Sequence, residues 1–391
     1  MNNKLHRMSI VVAGAALIGL VAVPAQAETV ETRGGIRITS DDGRFKAQLG
    51  GRIHLDSNVW VDDDEFGDLE TGVFFRRGRI TLEGEAYGWR YKFENDFAGQ
   101  SGDNGSGIRE MWIGTTLAGV KLRLGQAKPY RGIEELTSSN DLLFMERPFA
   151  SGSGIYRQYQ TGVFADAAGS NYGWGAAVYN LRNGADSDDD TDGVGATVRG
   201  YYLPIMDDDV LLHVGGIASL DNPANGKTVG ASVRFAGRRG PSQGLGSTTE
   251  DQQSFGVELA GRVGSLSLQS EYHFVTLAQP SGDDTDLSAS YVQVSWLLNG
   301  EVKPYDVGKG AFKSPKPAGG RGAWELKLRY DLIDVSGRDP EIDVSQLAAG
   351  ANWYINPNVR FMLEYIQGES DLSDGTGVDG SLIAARAQLS F

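Results

Sequence analysis

Apolar and polar residues alternate along much of this 391-residue chain. From Phe45 to Val59, apolar side chains occupy one parity, whereas charged and amide side chains mostly occupy the other. The same alternation recurs from Arg77 to Ala86 and from Val120 to Leu124. A period of two is typical of strands that present one face to an apolar environment and the other to water. The pattern therefore predicts an all-β protein whose strand register is strongly fixed.

The breaks between the strand-like segments alternate between short and long. Short breaks fall at Gly88-Trp89, Ala118-Gly119 and Gly264-Ser265, as expected when short periplasmic turns alternate with longer external loops. Roughly seventeen segments resemble strands, but a bacterial barrel with both chain ends in the periplasm needs an even number. The segment from Val229 to Arg239 carries three arginines, so we assign it to an external loop folded back into the lumen. The prediction is a transmembrane antiparallel β-barrel of about 16 strands with inward-folded loops.

The first residues have the pattern of a secretory signal peptide. Lys4 and Arg7 are positive, an apolar run extends from Ile10 to Val23, and Ala25-Gln26-Ala27 is a small-residue cleavage site. This order of regions is that of a cleavable signal. An uncleaved anchor is the alternative, but roughly fourteen apolar residues are too few to cross about 30 Å of hydrocarbon as a helix.

Two domains follow from the signal and the strands. Residues 1–27 are predicted to be the signal peptide and residues 28–391 the barrel, in the outer membrane of a Gram-negative bacterium. Beyond Ala27 no run approaches the roughly twenty apolar residues of a membrane-spanning helix, so crossing requires strands. A soluble periplasmic β-protein is the alternative. The composition favours the barrel, since the chain has 54 glycines, 15 tyrosines, 15 phenylalanines and no cysteine. Without disulfides, a sheet that closes into a ring is stabilised because it leaves no strand edge unpaired.

The charge of the chain argues against nucleic acid as a partner. The formal net charge is −15, and loss of residues 1–27, which carry two cations, leaves −17. An acidic surface repels the phosphates of nucleic acid. Runs such as Asp188-Asp189-Asp190 and Asp207-Asp208-Asp209 are interpreted as solvated parts of the longer loops, in preference to a metal site.

Nothing in the sequence has the pattern of an enzyme. The histidines after the signal are His54, His213 and His273, and none lies in a recognisable catalytic motif. A nucleophile would need such a base beside it. We therefore predict no catalytic residue, no metal and no cofactor.

Several long motifs are more specific than strand periodicity. One runs from Gly125 to Tyr130 as GQAKPY and continues from Glu134 to Arg147 with EELTSSND and FMER. Others are FRRGR at Phe75–Arg79, and GEVKPY at Gly300–Tyr305, followed by GAWEL at Gly322–Leu326. In these motifs, which are spaced over nearly the whole chain after the signal, the protein resembles the phosphate-selective porin O and P family.

The resemblance implies a sixteen-stranded barrel, usually a homotrimer, whose inward third loop narrows a lumen lined by arginine and lysine. The third loop corresponds to residues 128–157, with Lys128 at the family's Gly-Gln-x-Lys-Pro position. The basic fifth loop corresponds to residues 221–250. Ala236 and Gly237 separate the arginines of this loop, which are closer together in the family. This difference argues against strict phosphate selectivity more than against anion preference.

The resemblance also implies a function and a set of site residues. The function is a water-filled, anion-preferring channel for passive uptake of phosphate or polyphosphate, in contact with outer-membrane lipid and lipopolysaccharide. The candidate anion-pathway residues, chosen by strand parity and by the two loops, are Arg77, Arg79, Lys121, Arg123, Lys128, Arg131, Arg234, Arg238 and Arg239. Each could instead form a structural ion pair, since Glu83, Glu85, Glu134 and Glu135 are near in sequence.

Two alternatives to a phosphate channel remain open. One is a porin of the same family with broad anion diffusion, or with a preference for pyrophosphate, arsenate or an organic acid. The other is a non-conducting structural or adhesive barrel with a filled interior. About sixteen strands enclose a channel, which favours the pore. The net charge of the loops does not exclude anion passage, because charges beyond a Debye length of about 8 Å are largely screened.

Overall fold

The computed structural model describes residues 27–31, 35–62, 69, 71–98, 107–153, 155, 158–181, 193–224, 226–317 and 320–391. In chain order the elements are β1 (Ala27–Glu31), β2 (Ile36–Ser40), β3 (Phe45–Asp62), β4 (Gly72–Ala86), β5 (Trp89–Asp96), β6 (Gly107–Leu117), β7 (Val120–Ala127), α1 (Ile133–Leu136), α2 (Phe149–Gly152), β8 (Gln160–Ala168), β9 (Tyr172–Leu181), β10 (Gly193–Met206), β11 (Val210–Pro223), β12 (Val229–Arg234), β13 (Ser242–Thr248), β14 (Gln252–Val263), β15 (Leu266–Leu277), β16 (Thr285–Leu297), β17 (Tyr305–Asp306), β18 (Ala311–Phe312), β19 (Ala323–Ser336), β20 (Ile342–Tyr354), β21 (Val359–Leu372) and β22 (Gly377–Ser390). Nearly all of the predicted signal peptide, together with Arg157 at the end of the predicted third loop, lies outside the described residues.

Sixteen of the described strands close into one antiparallel barrel, which confirms the predicted fold. The barrel consists of β3 to β11, β14 to β16 and β19 to β22, each paired with its neighbour. Closure joins β22 to β3, and the amide of Phe391 donates to the carbonyl of Gly51 over 3.0 Å. The hairpin β1–β2 lies beside the first residues of β3. There β2 pairs from Ile36 to Thr39 with Lys46 to Leu49 of β3. None of the described helices has the length and apolar character needed to cross a bilayer.

Alternate side chains face opposite sides of the barrel wall, as the period of two predicted. On β19, Leu328 is 46% exposed on the outer face, whereas its neighbour Lys327 is 5% exposed on the inner face. On β3, Leu49 and Ile53 are exposed, whereas His54 is fully buried. A charged residue on the lipid face would cost about 2–4 kcal/mol at midplane. This cost fixes the register of each strand.

A β-bulge interrupts the alternation on β4. His54 pairs with Arg77, but the next residue of β3, Leu55, pairs with Phe75, so Arg76 is the extra residue. Arg76 and Arg77 are both buried, while Phe75 is exposed on the outer face. Because a bulge sets two residues against one, two consecutive arginines enter the barrel interior.

Part of the barrel interior is a packed apolar cluster, which strand parity alone did not predict. The hairpin β12–β13 lies outside the barrel sheet, and Val233 and Phe235 pack with Phe149 of α2 against the wall. The wall residues of this cluster are Val275, Leu277, Leu287, Ala289, Tyr291, Ile333, Val335, Ile342 and Val344. The outer ends of β15, β16, β19 and β20 therefore carry apolar residues on both faces, and the polar part of the lumen lies nearer β3 to β9.

A second long segment enters the barrel from the side of the short turns. Residues 298–322 connect β16 to β19, and Phe312 packs with Ile133 of α1 and Leu211 of β11. The amide of Ser314 donates to Asp141 Oδ1 over 3.0 Å. By contrast, the acidic run at residues 207–209, predicted to be a long loop, is a short turn between β10 and β11.

Candidate functional site

A cavity of about 440 Å³ occupies the polar part of the lumen toward the long loops; we call it the outer cavity. Among the residues that the structure describes, twelve basic and four acidic side chains line it, so its formal charge is strongly positive. The basic residues are Arg52, Arg76, Arg77, Arg79, Lys92, Arg109, Lys128, Arg147, Arg234, Arg238, Lys309 and Arg329. The acidic residues are Glu94, Glu110, Glu146 and Glu364.

Arg79 is held firmly on the wall of this cavity. Its Nε donates to Asp96 Oδ2 over 2.7 Å and its Nη1 donates to Glu94 Oε1 over 2.9 Å. Nη1 also donates to the hydroxyl of Tyr159 over 3.2 Å. Arg52 shares the same carboxylate, with Nη2 2.8 Å from Glu94 Oε2. The carboxylates orient these guanidinium groups and neutralise part of their charge.

Arg77 differs from its neighbours, because no described carboxylate lies within ion-pair distance of it. Its Nη1 donates to His54 Nδ1 over 3.3 Å, and its buried Nε has no hydrogen-bond partner among the described residues. Only 2% of Arg77 is exposed. Glu146 interacts with the charge of Arg77 only at longer range. A buried guanidinium without a direct counter-charge is costly, so this side chain is suited to an anion entering the cavity.

The third loop is tied across the lumen by Glu146. This carboxylate accepts hydrogen bonds from Arg76 Nε and Nη2, and a third, of 3.2 Å, from Arg386 Nη2. Burial disfavours the ionised form of Glu146, but Arg76, Arg77 and Arg386 outweigh it and hold the pKa of Glu146 well below its ordinary value. The loop tip is therefore an ion-paired anchor on β4 and β22.

A second cavity of about 310 Å³ lies toward the short turns; we call it the inner cavity. Seven basic and three acidic side chains line it within the described ranges. The basic residues are Arg90, Lys92, Lys121, Arg123, Lys128, Arg199 and Lys309, and the acidic residues are Glu83, Glu110 and Asp166. Positive charge thus extends from the outer cavity toward the periplasm.

The two cavities adjoin at a neck, defined here by the residues common to both: Lys92, Glu110, Lys128, Leu136 and Lys309. Lys92 Nζ is 3.1 Å from Glu110 Oε1, and Lys128 Nζ is 2.9 Å from Glu135 Oε1. Burial, then the charge of Arg147, lowers the pKa of Lys128, which Glu135 partly offsets.

Lys309 is the lysine of the neck that makes no direct ion pair among the described residues, although Asp306, the partner of Lys313, interacts with its charge at longer range. The side chain of Lys309 is exposed, and no acidic group of the described chain lies within ion-pair distance of it. The other two lysines of the neck each have a carboxylate partner. The passage between the cavities therefore carries an excess of positive charge.

The structure distributes the sequence-predicted residues among different environments. Arg77, Arg79, Lys128, Arg234 and Arg238 line the outer cavity. Lys121 and Arg123 line the inner cavity, as Lys128 also does. The remaining two line neither cavity. Arg131 is fully buried with its Nη2 2.7 Å from Asp221 Oδ1, and the guanidinium of Arg239 lies 4.1 Å from the centre of the Phe74 ring.

Sequence reasoning missed several basic residues of these cavities. Strand parity excluded Arg76, because the bulge that turns it inward leaves no local signal. Lys309 lies in the connection between β16 and β19, where no alternation marks it. Arg109 is likewise the extra residue of a bulge between β5 and β6, so parity would have placed it on the outer face. Lys92 does lie on the parity-defined inner face of β5, so a fuller application of the same rule would have included it.

A closed sixteen-strand barrel, apolar outside and lined inside by charged cavities, is an outer-membrane porin. Within this class the particular family is also defined. Residues 47–391 match the family model described as Phosphate-selective porin O and P. The chain belongs to this family, in the outer membrane of a Gram-negative bacterium, and porins are channels rather than enzymes.

Relatives agree with this assignment. The chain is 27% identical to Porin O of Pseudomonas aeruginosa, over 98% of this chain and 97% of that protein. The anion-selective porin from Comamonas acidovorans superposes with a TM-score of 0.58 at 14% identity, over 88% of this chain and 99% of that chain. The trimer form of OmpT, an outer membrane protein of Vibrio cholerae, gives a TM-score of 0.56 at 11% identity, over 88% and 99% of the two chains. At these identities the two structures establish the fold alone.

Proposed function

We propose that this porin is an anion-preferring, water-filled channel through which phosphate or polyphosphate enters by passive diffusion. The observation that carries the proposal is the neck, where Lys92, Lys128 and Lys309 adjoin both basic cavities. Cations in a narrow, partly desolvated passage lower the free energy of an anion and raise that of a cation. Selection by charge sign is the expected consequence.

Passage of phosphate through the channel requires successive sites that each bind the anion weakly. Arginine presents a planar fork to phosphate oxygens, whereas lysine is a compact point charge. The outer cavity offers Arg77 without a carboxylate partner, and the neck offers Lys309 in the same condition. An anion can pass between such sites because neither holds it as tightly as a fully assembled binding site would.

Ion pairs reduce the charge of this pathway without cancelling it. Glu94, Glu110 and Glu146 neutralise some of the arginines and lysines that line the outer cavity. Basic side chains still outnumber acidic ones three to one there. Charges farther than a Debye length of about 8 Å from a site in the lumen are largely screened, so local charge outweighs the net charge of the chain there.

The assembly we propose is a homotrimer surrounded by outer-membrane lipid and lipopolysaccharide. The support is the resemblance to the family and a similar fold described as a trimer form in OmpT. Chemical cross-linking in outer-membrane vesicles should yield a ladder ending at three subunits. A ladder ending at one or two subunits would contradict the trimer.

Ion selectivity tests the channel directly. In planar bilayers under a potassium chloride gradient, we expect a reversal potential of the sign given by chloride permeation. The substitution Lys309→Gln should lower the anion-to-cation permeability ratio about twofold, since one charge about 10 Å away contributes roughly 0.4 kcal/mol in water before screening by salt, with opposite sign for anion and cation. Lys316→Gln is the matched control, because Lys316 is an exposed lysine of the same segment that lines neither cavity.

The possible results separate the candidate functions. Cation preference, or equal effects of the two substitutions, would refute the anion channel. Titration of the chloride current with phosphate and pyrophosphate then distinguishes a phosphate channel from a broad anion channel, since only the former is blocked at millimolar concentrations. A non-conducting structural or adhesive barrel would show no discrete single-channel steps.

A further inference from the structure

Aromatic rings distinguish the inner cavity from the outer one. Trp112, Tyr130 and Tyr201 line the inner cavity from three different strands or loops. In the outer cavity, the aromatic side chains of the described lining are Phe149 and Tyr159 alone, among many more polar groups. The inner cavity therefore offers apolar faces beside its cations.

The aromatic wall is held in place by Arg123. Its guanidinium carbon lies 5.6 Å from the ring centres of Trp112 and Tyr130. Arg123 also pairs with Asp166 over 3.1 Å, and Tyr130 donates to the same carboxylate over 2.6 Å. A cation packed against rings and fixed by a carboxylate gives a rigid wall, which reduces the entropy that a ligand loses on binding.

Two cations of the inner cavity remain available to a ligand. Arg90 has no carboxylate partner in the described chain, and its Nε and Nη2 are buried without hydrogen-bond partners there. Lys309 is the exposed lysine of the neck. Both side chains line the cavity that contains Trp112, so cationic and aromatic groups converge on one space.

We propose that the inner cavity is a binding chamber for small organic anions in which a flat unsaturated ring carries a carboxylate or phosphonate. Arg90 and Lys309 bind the acid group, while Trp112 and its neighbouring rings contact the flat body. The volume of about 310 Å³ is at the lower end of the range for small-molecule pockets. This inference rests on the proposed anion channel and adds a second ligand class to it.

Benzoate and cyclohexanecarboxylate form a matched pair of probes, because both are ionised at pH 7 and similar in size, but only benzoate is flat and aromatic. Each is titrated against the chloride current of the whole porin in planar bilayers. We expect benzoate to block at about fivefold lower concentration, the gain expected of one favourable aromatic contact. The block should be stronger from the side of the short turns.

Substitutions locate the chamber. Trp112→Leu should abolish the preference for benzoate, whereas Trp112→Phe should retain it. Trp296→Leu is the matched control, since Trp296 is exposed on the outer face of β16. This substitution should leave the preference for benzoate unchanged. Arg90→Gln should weaken the block by both probes to the same extent.

The outcomes are decisive even if one variant fails to insert. Equal block of the unsubstituted porin by the two probes overturns the chamber, and so does a benzoate preference that persists in Trp112→Leu. Failure of the anion channel itself is a separate result, because it shows as cation preference in potassium chloride before any organic acid is added.

Discussion

The carboxylate of Glu146 accepts two hydrogen bonds from the single guanidinium of Arg76, of 2.5 and 2.7 Å. This pair joins the tip of the third loop to the bulge on β4. Arg386 reinforces it from β22, where its Nε and Nη2 also donate to Asp56 over 2.6 and 2.7 Å. Bidentate pairs of this kind fix geometry as well as charge. The pair therefore fixes this part of the third loop to the barrel wall by electrostatics.

Removal of Glu146 tests this anchor. We expect Glu146→Ala to lower the free energy of unfolding in detergent micelles by about 2 kcal/mol. This is less than the ~3–5 kcal/mol for breaking a buried pair, because the Glu146 side chain is 23% exposed. Single-channel conductance should rise as the loop loosens. Glu341→Ala in the exposed loop before β20 is the control, and an equal effect there would contradict the anchor.

The same pair predicts a pH dependence. Because its neighbours hold the pKa of Glu146 well below the ordinary 4.5, its contribution is fully present above pH 4.5. The contribution is lost as the pH falls through the lowered folded-state pKa. Conductance and current noise should therefore stay constant from pH 7 to about pH 4.5. A rise in conductance or current noise of the unsubstituted porin already near pH 6 would contradict the proposed anchoring role of Glu146.

Glu271 of β15 anchors the start of the third loop. Its carboxylate accepts hydrogen bonds from the amides of Ile133 and Glu134 over 2.7 and 3.2 Å, and from the Tyr291 hydroxyl over 2.8 Å. Glu271→Ala should leave the amides at the start of α1 without acceptors, at about 1–3 kcal/mol for each buried group. Hydrogen exchange should then become faster across residues 130–137 than in the barrel strands. Uniform exchange across both regions would count against this role.

The lipid face gives a test of the barrel itself. Leu328 is exposed on the middle of β19, so Leu328→Arg should destabilise the folded porin in lipid vesicles by about 2–4 kcal/mol. Leu298→Arg is the matched control, because Leu298 is also exposed but lies just beyond the end of β16, where the cost is about 0–1 kcal/mol. Equal costs at the two positions would place Leu328 away from the hydrocarbon.

The sequence by itself determined the barrel. Each strand alternates apolar and polar residues, because a charged side chain in lipid is costly in every strand separately. Parity therefore predicted the faces of Leu49, Ile53, Lys121 and Arg123. The requirement for an even strand number then removed residues 229–239 from the wall, and the structure pairs β12 with β13 instead. The alternation can be inferred from neighbouring residues, and the even strand number follows from both chain ends lying on the same side of the membrane.

Only the tertiary structure decided which cations are available to an anion. Arg131 pairs with Asp221, 90 residues away in sequence, whereas Arg77 forms no direct ion pair with a carboxylate of the described chain. Arg76 enters the lumen through a bulge, and Lys309 enters it on a long periplasmic segment. Whether a buried cation is neutralised depends on side chains that approach across the lumen from distant strands. Strand periodicity carries no information about these approaches, because Coulomb energies depend on distance in space.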